Sequence, residues 1–474
     1  MKKSKVLRNI LYNGTYQLLL VLLPLITVPY ISRVLGASNI GIYAYYFTFA
    51  AYFVMFSRLG VNNYGSRSIA EVADDRDKLQ QVFSQIYGLQ FLVSCIAIGV
   101  YACLIPFVDN LSVYLCAGLY VLSGISDINW LYFGLEEFKK TALRSMLIKI
   151  LSVVMIFVCV KTKDDIIPYT LICCGTHLVT NLILWAMLPM IKVRLNLSEF
   201  KYAFRHFKSM LVLFLPTLGI SLYNFMDKLM LGSMVEIHEL GFYQSAESIM
   251  SVPVTLVAAV GTVMLPRMTS LYSKGEEKNA EKYIMLSMWL TLCFVSAFSF
   301  GVFSAAPEFT TIFYGPGFEP CVLLLQILMF APLFLAMANV VRKQVLLPKK
   351  MDKVFVGSIF AGAAINLLLN WLTIPKYGAV GAAVATVVAE CTVFLIQTIY
   401  CIKLVPIVKF IRQALPFVLI GLAMTGILYV IPFGDNDILT LVLKIIIGGI
   451  FYVAFSALYY VAVLKRGMNS ERKT

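Results

Sequence analysis

Apolar runs about 20 residues long recur from one end of this 474-residue chain to the other. A helix needs about 20 such residues to cross the hydrocarbon core of a bilayer. The composition agrees, since 60% of the residues are hydrophobic and only 14% are charged, whereas soluble domains are roughly a quarter charged. The runs therefore predict an all-α, polytopic membrane protein.

Hydropathy, together with interruptions by glycine, proline and charged residues, predicts fourteen spans. They lie near residues 10–34, 40–62, 82–106, 112–134, 143–160, 166–189, 209–234, 240–265, 283–305, 321–341, 353–374, 379–402, 411–432 and 438–464. The start, MKKSKVLRN, resembles the basic region of a signal peptide. The apolar stretch after it is too long for one, so we interpret it as a retained first span.

The basic residues predict the orientation of these spans. With the N-terminus in the cytoplasm, 32 of the 39 Lys and Arg residues fall on the inner side, as the positive-inside rule requires. The others are Lys161, Lys163 and Lys376 outside, and Arg33, Arg58, Lys228 and Lys444 within spans. The basic residues behind the net charge of +14 therefore face anionic lipid and set the topology, and we expect no nucleic-acid partner. Both termini are predicted to be cytoplasmic.

Several classes of site are not expected. The ten cysteines are scattered without a CxxC pair, so neither disulfides nor a metal site is predicted. The sequence has no phosphate-binding P-loop pattern, which argues against direct use of ATP. No cofactor is expected.

The two halves of the chain echo each other. LLPLITVPYISRVLG followed by GIYAYY corresponds to FLPTLGISLYNFMDKLMLG followed by GFYQSA. The matched pairs are Pro24 with Pro216, Gly36 with Gly232, and Tyr43 with Tyr243. Six spans separate the copies, so the repeat is parallel. It predicts a six-helix bundle at 1–190, a cytoplasmic linker at 191–208, a second six-helix bundle at 209–403, and two additional helices with a cytoplasmic tail at 404–474.

Proline at corresponding positions of two halves is typical of transporters whose site lies between those halves. Proline removes a backbone hydrogen bond and permits a kink in a membrane helix. We therefore predict helix hinges at Pro24, Pro29 and Pro216.

Basic and polar side chains inside the spans predict a binding surface. A charge at mid-bilayer costs about 2.5–3.5 kcal/mol on insertion scales, so it usually faces a cavity or a partner. Asn224 and Lys228 continue one polar face of the seventh span. Arg33 and Arg58 carry guanidinium forks that suit pyrophosphate oxygens. The alternative is that these cations are interfacial or topology anchors.

Acidic side chains have two interpretations as well. Asp127, Asp227, Glu247 and Glu390 could gate the protein or bind a coupling proton or Na⁺, or each could pair with a neighbouring base. We hypothesise that Asp227 pairs with Arg33 when an outer gate closes. His177 is interpreted as a structural histidine. Lys444 is interpreted as an anchor that extends to the membrane surface.

Four stretches resemble a known family. They are LITVPYISRVLGASNIGIYAYY, RLGVNNYGSRSIA, YNFMDKLMLGSM and NLLLNWLTIPKYGAVGAAVATVVAEC. They resemble the Wzx-type flippases in the polysaccharide-transport branch of the multidrug/oligosaccharidyl-lipid/polysaccharide (MOP) exporter superfamily. The likeness covers spans 1 to 12. It implies two six-helix bundles in a V around a central cavity, in a bacterial cytoplasmic membrane.

The resemblance implies alternating-access transport of undecaprenyl-pyrophosphate-linked oligosaccharide units for capsule, exopolysaccharide or O-antigen. Membrane lipids, a polysaccharide polymerase and glycosyltransferases are the implied partners. Coupling to H⁺, Na⁺ or the membrane potential stays open. The alternative function is a cation-coupled drug antiporter of the same fold, which the arginines of the first half disfavour. A membrane glycosyltransferase would need a sizeable catalytic loop, which the short predicted loops do not supply.

Overall fold

The computed structural model describes residues 2–191 and 193–464, with the side chains of residues 2–18, 20, 21, 216, 222–224, 463 and 464 left aside. Every regular element in these ranges is a helix. The α-helices are α1 (Lys2–Arg58), α2 (Val61–Glu71), α3 (Arg76–Cys103), α4 (Leu111–Ile125), α5 (Asn129–Gly134), α6 (Phe138–Cys159), α7 (Ile166–Ala186), α8 (Phe207–Met234), α9 (Ile237–Ser273), α10 (Glu277–Phe313), α11 (Cys321–Leu328), α12 (Ala331–Val341), α13 (Asp352–Cys401), α14 (Ile407–Val430) and α15 (Asp437–Tyr459). Short 3₁₀ segments cover Ile105–Phe107, Leu188–Ile191 and Leu197–His206, and π-helical turns cover Arg342–Leu346 and Tyr460–Leu464.

The helices account for the predicted spans. Eleven helical stretches in the described ranges are long and apolar enough to cross a membrane. Two of them contain a bend, at Gly36 (φ 73°) and Gly378 (φ 54°), so each supplies two crossings. The 28-residue helix α8 supplies one more. Fourteen crossings result, and the predicted all-α polytopic fold is confirmed.

The chain packs as two compact units. The first comprises Met1–Thr27 and Val34–Gly241, and the second comprises Val28–Arg33 and Phe242–Thr474. The division falls at Gly241, because α8 packs on α1 and α2 of the first unit. The predicted limits of the bundles, which follow the sequence repeat, stay a prediction.

The stretch RLGVNNYGSRSIA shapes the first unit. Gly60 has a left-handed φ of 74°, and a side chain there would meet Met210 O at 2.8 Å. The turn between α1 and α2 therefore lies directly against the backbone of α8. At Gly65, a side chain would strike the indole of Trp130 at 2.5 Å. Both glycines are needed for close approach, and α2 is consequently held between α8 and α5.

The second unit is built around α10, which packs on α14 and α15. The hydroxyl of Tyr452 on α15 donates to Cys293 O of α10 at 2.8 Å. Lys444 of α15 lies 2.6 Å from Glu308 of α10, with only 9% and 14% of these side chains exposed. The interpretation of Lys444 as a surface anchor was therefore wrong: a buried carboxylate on a distant stretch of chain satisfies its charge.

Candidate functional site

The fourth span of the first unit is broken. Helix α4 ends at Ile125 and α5 begins at Asn129, which frees carbonyl groups that a continuous helix would bond internally. Side chains of α3 and α7 take them up: Gln90 Nε2 donates to Gly124 O (2.9 Å) and Asp127 O (2.8 Å), Asn181 Nδ2 to Ser123 O (2.9 Å), and Trp185 Nε1 to Ser126 O (2.9 Å). The break is thus a built feature of the kind that membrane proteins tolerate beside a cavity.

Asp127 occupies this break and pairs with Arg58. One carboxylate oxygen of Asp127 lies 2.8 Å from Arg58 Nε, and the other accepts from Asn129 N (3.0 Å) and Asn129 Nδ2 (2.6 Å). Only 3% of the Asp127 side chain is exposed, against 28% for Arg58. Of the two interpretations of Asp127, pairing with a neighbouring base is the one that this geometry shows.

A polar cavity of about 240 Å³ opens beside this pair. It is lined by Arg58, Asn129, Phe133, Phe138, Thr141, Ala142, Arg144, Ser145, His177, Thr180 and Asn181. Drug-sized ligands occupy about 300–1,000 Å³. The cavity therefore suits a compact group, such as one phosphate or pyrophosphate, and not a chain of several sugars.

A second arginine lies at this cavity. Arg144 on α6 is 7% exposed, and its Nη2 donates to Asn129 Oδ1 at 3.1 Å and to Ser145 Oγ at 3.0 Å. Asn129 in turn donates to Asn181 Oδ1 at 3.2 Å. Both charged side chains in the lining of the cavity are therefore arginines. Such a site favours an oxyanion, because guanidinium matches planar and tetrahedral oxygen pairs with two parallel donors.

Aromatic rings form one wall. The His177 ring lies 4.4 Å from that of Tyr120 and 6.1 Å from that of Phe47, measured between centroids. This ring packing agrees with the structural interpretation of His177, although the side chain also faces the cavity. In the described part of the chain, no group of three or more His, Cys, Asp or Glu side chains is arranged to hold a metal ion.

The other predicted head-group residues do not line this cavity. Arg33 belongs to the second unit, where its Nη2 donates to Ile312 O at the end of α10. A guanidinium at a helix C-terminus is favourable, since it satisfies a free carbonyl and complements the helix dipole. Lys228 is half-buried on α8 of the first unit. The side chain of Asn224 lies outside the described residues. Their roles stay predictions.

The remaining acids occupy varied environments. Asp227 is buried on α8 near Tyr52 of the same unit. Glu390 is buried on α13 within the electrostatic reach of Arg342, while Glu247 is half-buried on α9. Gating or ion coupling by these acids, and the pairing of Asp227 with Arg33, stay predictions.

The hinge prolines are also untested. The backbone is helical through Pro24 and Pro29, and the non-helical residue of α1 is Gly36. The side chain of Pro216 lies outside the described residues. A hinge concerns motion, which one conformation does not report.

Sequence reasoning missed Asn129, Arg144 and Asn181 among the residues of the cavity. Arg144 follows Lys139 and Lys140 at the edge of the predicted span 143–160, so it counted as one of many inner-side basic residues. Helix α6 begins earlier, at Phe138, which places Arg144 almost two turns inside. The available signal was the setting of Arg144, which stands between Leu143 and Ser145 in an apolar helix. A cation in such a helix usually faces a cavity or a partner.

Comparison with known proteins now identifies the family. The family described as "Polysaccharide biosynthesis protein" matches residues 6–272. The chain is 28% identical to the putative O-antigen transporter of Escherichia coli (strain K12), over 82% of this chain and 95% of that protein. It is 24% identical to the probable low-salt glycan biosynthesis flippase Agl15 of Haloferax volcanii, over 57% of this chain and 58% of that protein.

The fold has a solved counterpart. The lipid II flippase MurJ, in an inward closed conformation, superposes with a TM-score of 0.74 at 17% identity, over 97% of this chain and 100% of that chain. The relatives are named as transporters and flippases, and none of these names is that of an enzyme. The chain belongs to the polysaccharide biosynthesis protein family and is a membrane transporter, a Wzx-type polysaccharide flippase of the MOP superfamily.

Proposed function

We propose that this protein moves undecaprenyl-pyrophosphate-linked oligosaccharide units from the inner to the outer leaflet of a bacterial cytoplasmic membrane by alternating access. The observation that carries the proposal is the convergence of Arg58 and Arg144 on one polar cavity. A lipid-linked glycan has a compact anionic group between its sugars and its tail. The cavity has the size and the charge for that group, and we infer that the sugars lie outside it.

The arrangement also preorganises the cations. Asp127 engages Nε of Arg58, and Asn129 engages one terminal nitrogen of Arg144. Each guanidinium carries five N–H donors in a fixed fork, and both arginines line the cavity. Side chains that are already oriented lose less entropy when the ligand binds. Preorganisation therefore supports a binding role for the two arginines.

A drug antiporter that takes up cations is the competing function. Its cavity should be acidic, since a cationic drug must leave water for the site. Both charged side chains in the lining of the described cavity are arginines. This charge balance repels cations and favours the flippase.

The membrane potential is a sufficient driving force in this proposal. Moving a pyrophosphate of about two negative charges outward releases roughly 2.3 kcal/mol per charge for every 100 mV of inside-negative potential. A proton or Na⁺ gradient is an additional source if the buried acids prove to bind an ion. Both termini are proposed to be cytoplasmic, and the chain is proposed to act with glycosyltransferases and a polymerase.

Arg144 provides the sharpest test. In a strain that depends on this chain for surface polysaccharide, we expect Arg144→Ala to lower output roughly tenfold or more, because a charge-assisted contact contributes about 1.5–3 kcal/mol. Arg144→Lys should restore only part, since an ammonium lacks the fork. Lipid-linked oligosaccharide should accumulate at the same time.

The matched control is Lys139→Ala, an exposed basic residue of the same helix. It should export normally. Protein amount and thermal midpoint in detergent are measured for each variant, which separates loss of binding from loss of folding. Normal output from well-folded Arg144→Ala would contradict a role for this cavity.

A further inference from the structure

A second pocket of the first unit, of about 460 Å³, lies between α2 and the start of α8. Its polar end carries Arg67 and Ser68 of α2 and Lys208 and Ser209 of α8. None of these four residues lines the cavity that holds Arg58 and Arg144. The proposed function leaves this pocket without a role.

Hydrogen bonds frame the pocket. Tyr64 at its wall hydrogen-bonds His206 Nδ1 at 2.7 Å, and His206 Nε2 lies 3.1 Å from Gln85 Oε1. Gln85 Nε2 donates to Glu199 at 2.7 Å. The amide oxygen of Gln85 requires a donor, so Nε2 carries the imidazole proton and Nδ1 accepts from Tyr64. This series of hydrogen bonds ties α2, α3 and the segment Leu197–His206 together.

That segment has the character of an element lying in a membrane surface. It is a 3₁₀ helix between the predicted sixth and seventh spans, and its Leu197 and Phe204 are both 69% exposed. Lys201 and Arg205 stack on the ring of Tyr202 at 4.9 and 4.3 Å from its centroid. Exposed apolar side chains beside basic ones are typical of interfacial segments that enter the boundary between head groups and acyl chains.

The apolar end of the pocket points to a lipid. Val212, which is 58% exposed, and Leu213 continue the wall along α8. Arg67 and Lys208 face one acid in the lining, Glu71, so the net charge of these side chains is +1. This matches a phosphodiester with one negative charge better than a pyrophosphate with about two. Ser68 and Ser209 add hydroxyl donors to the lining.

We propose that this pocket binds one anionic glycerophospholipid of the inner leaflet. Its phosphodiester meets Arg67 and Lys208, and an acyl chain runs along Val212 and Leu213. The lipid bridges α2 and α8, the two helices that the turn at Gly60 brings together. This inference does not depend on which glycan the protein carries.

The test uses the purified full-length chain in detergent with phosphatidylglycerol as the probe and phosphatidylcholine for comparison. Retained lipid is counted by native mass spectrometry, and thermal midpoints are recorded. We expect one phosphatidylglycerol to be retained and to raise the midpoint. The Arg67→Gln, Lys208→Gln double variant should bind it at least roughly tenfold more weakly, because two charge-assisted contacts are lost.

Two further variants make the result specific. The Lys274→Gln, Lys278→Gln pair removes the same charge from exposed residues before and at the start of α10, and it should bind phosphatidylglycerol like the wild type. Ser68→Phe keeps the charge but fills the pocket, and it should lose the lipid. Equal binding by all variants would overturn the proposal. So would displacement of phosphatidylglycerol by polyprenyl pyrophosphate, which would assign the pocket to the transported lipid.

Discussion

Each unit holds an ion pair between two membrane helices, and the two pairs are surrounded differently. Arg58 and Asp127 in the first unit approach to 2.8 Å, and the arginine faces a polar cavity. Lys444 and Glu308 in the second unit approach to 2.6 Å. The Lys444 ammonium also donates to Ser304 O at 3.0 Å and lies 5.8 Å from the ring centroid of Phe433.

The two pairs differ in how many N–H donors of the cation remain after pairing. An ammonium has three donors and a guanidinium five. Glu308 and Ser304 use two of the Lys444 donors, and the aromatic ring covers the group. Asp127 engages one side of Arg58, whose other nitrogens have the cavity beside them. The same ionic chemistry can therefore hold a scaffold together or present charge to a ligand, depending on what its surroundings leave uncovered.

Replacing the first pair by apolar residues should have the largest effect. In an Arg58→Met, Asp127→Leu double variant, we expect surface polysaccharide to fall roughly tenfold or more, because the cavity loses a guanidinium donor set. The thermal midpoint should change much less, since apolar replacement of a whole buried pair is often nearly neutral. Polysaccharide output and midpoint are measured on matched amounts of protein. Wild-type output would place this pair in the same class as Lys444 and Glu308.

Replacing the second pair should show the opposite pattern. Lys444→Leu alone leaves Glu308 buried without its partner and should destabilise the protein by about 3 kcal/mol. Lys444→Leu with Glu308→Leu should recover most of that stability and should export polysaccharide normally. The checks are the thermal midpoint in detergent and polysaccharide output. A double variant that is stable but inactive would show that this pair has more than a scaffold role.

The turn at Gly60 extends the comparison to backbone packing. Gly60→Ala should destabilise the first unit by about 2 kcal/mol, because a left-handed residue other than glycine costs about 1–2 kcal/mol and the new Cβ would press on the α8 backbone. Gly434→Ala in the second unit, where a side chain meets no neighbour within 4 Å, is the control. Equal midpoints for the two variants would mean that α8 can move away from this turn.

His206 should give the smallest effect. Burial and then the nearby Arg205 lower the pKa of this histidine, so the unfolded chain binds its proton more readily. Stability should therefore fall as the pH drops below the ordinary histidine pKa of about 6.5. His206→Gln keeps an amide that can bond to Tyr64 and Gln85, and it should show a shallower loss of thermal midpoint between about pH 7 and pH 5. A variant with the same slope as the wild type would contradict this account.

Glycines at matched positions of the sequence repeat have different structural roles. Gly36 and Gly232 are matched positions, yet only Gly36 has a left-handed backbone. A side chain at Gly232 would instead collide with the ring of Tyr45 within the first unit. The second bent helix turns at Gly378, which the repeat alignment did not mark. Glycine at matched positions thus serves a bend in one copy and close packing in the other.

The fold class could be predicted from hydropathy, because the free energy of transferring apolar residues into lipid adds up along each helix and does not depend on the neighbouring helices. The same local signal marked Arg58 and Asp127 as charges in costly places. Hydropathy did not single out Arg144, Asn129 or Asn181 as site residues, and it led to the wrong interpretation of Lys444 as a surface anchor. Each of these depends on a partner from another helix: Asn129 of α5 accepts from Arg144 of α6 and donates to Asn181 of α7, and Glu308 of α10 pairs with Lys444 of α15. Burial and pairing are properties of packed helices, and packing is what places those partners within hydrogen-bonding distance.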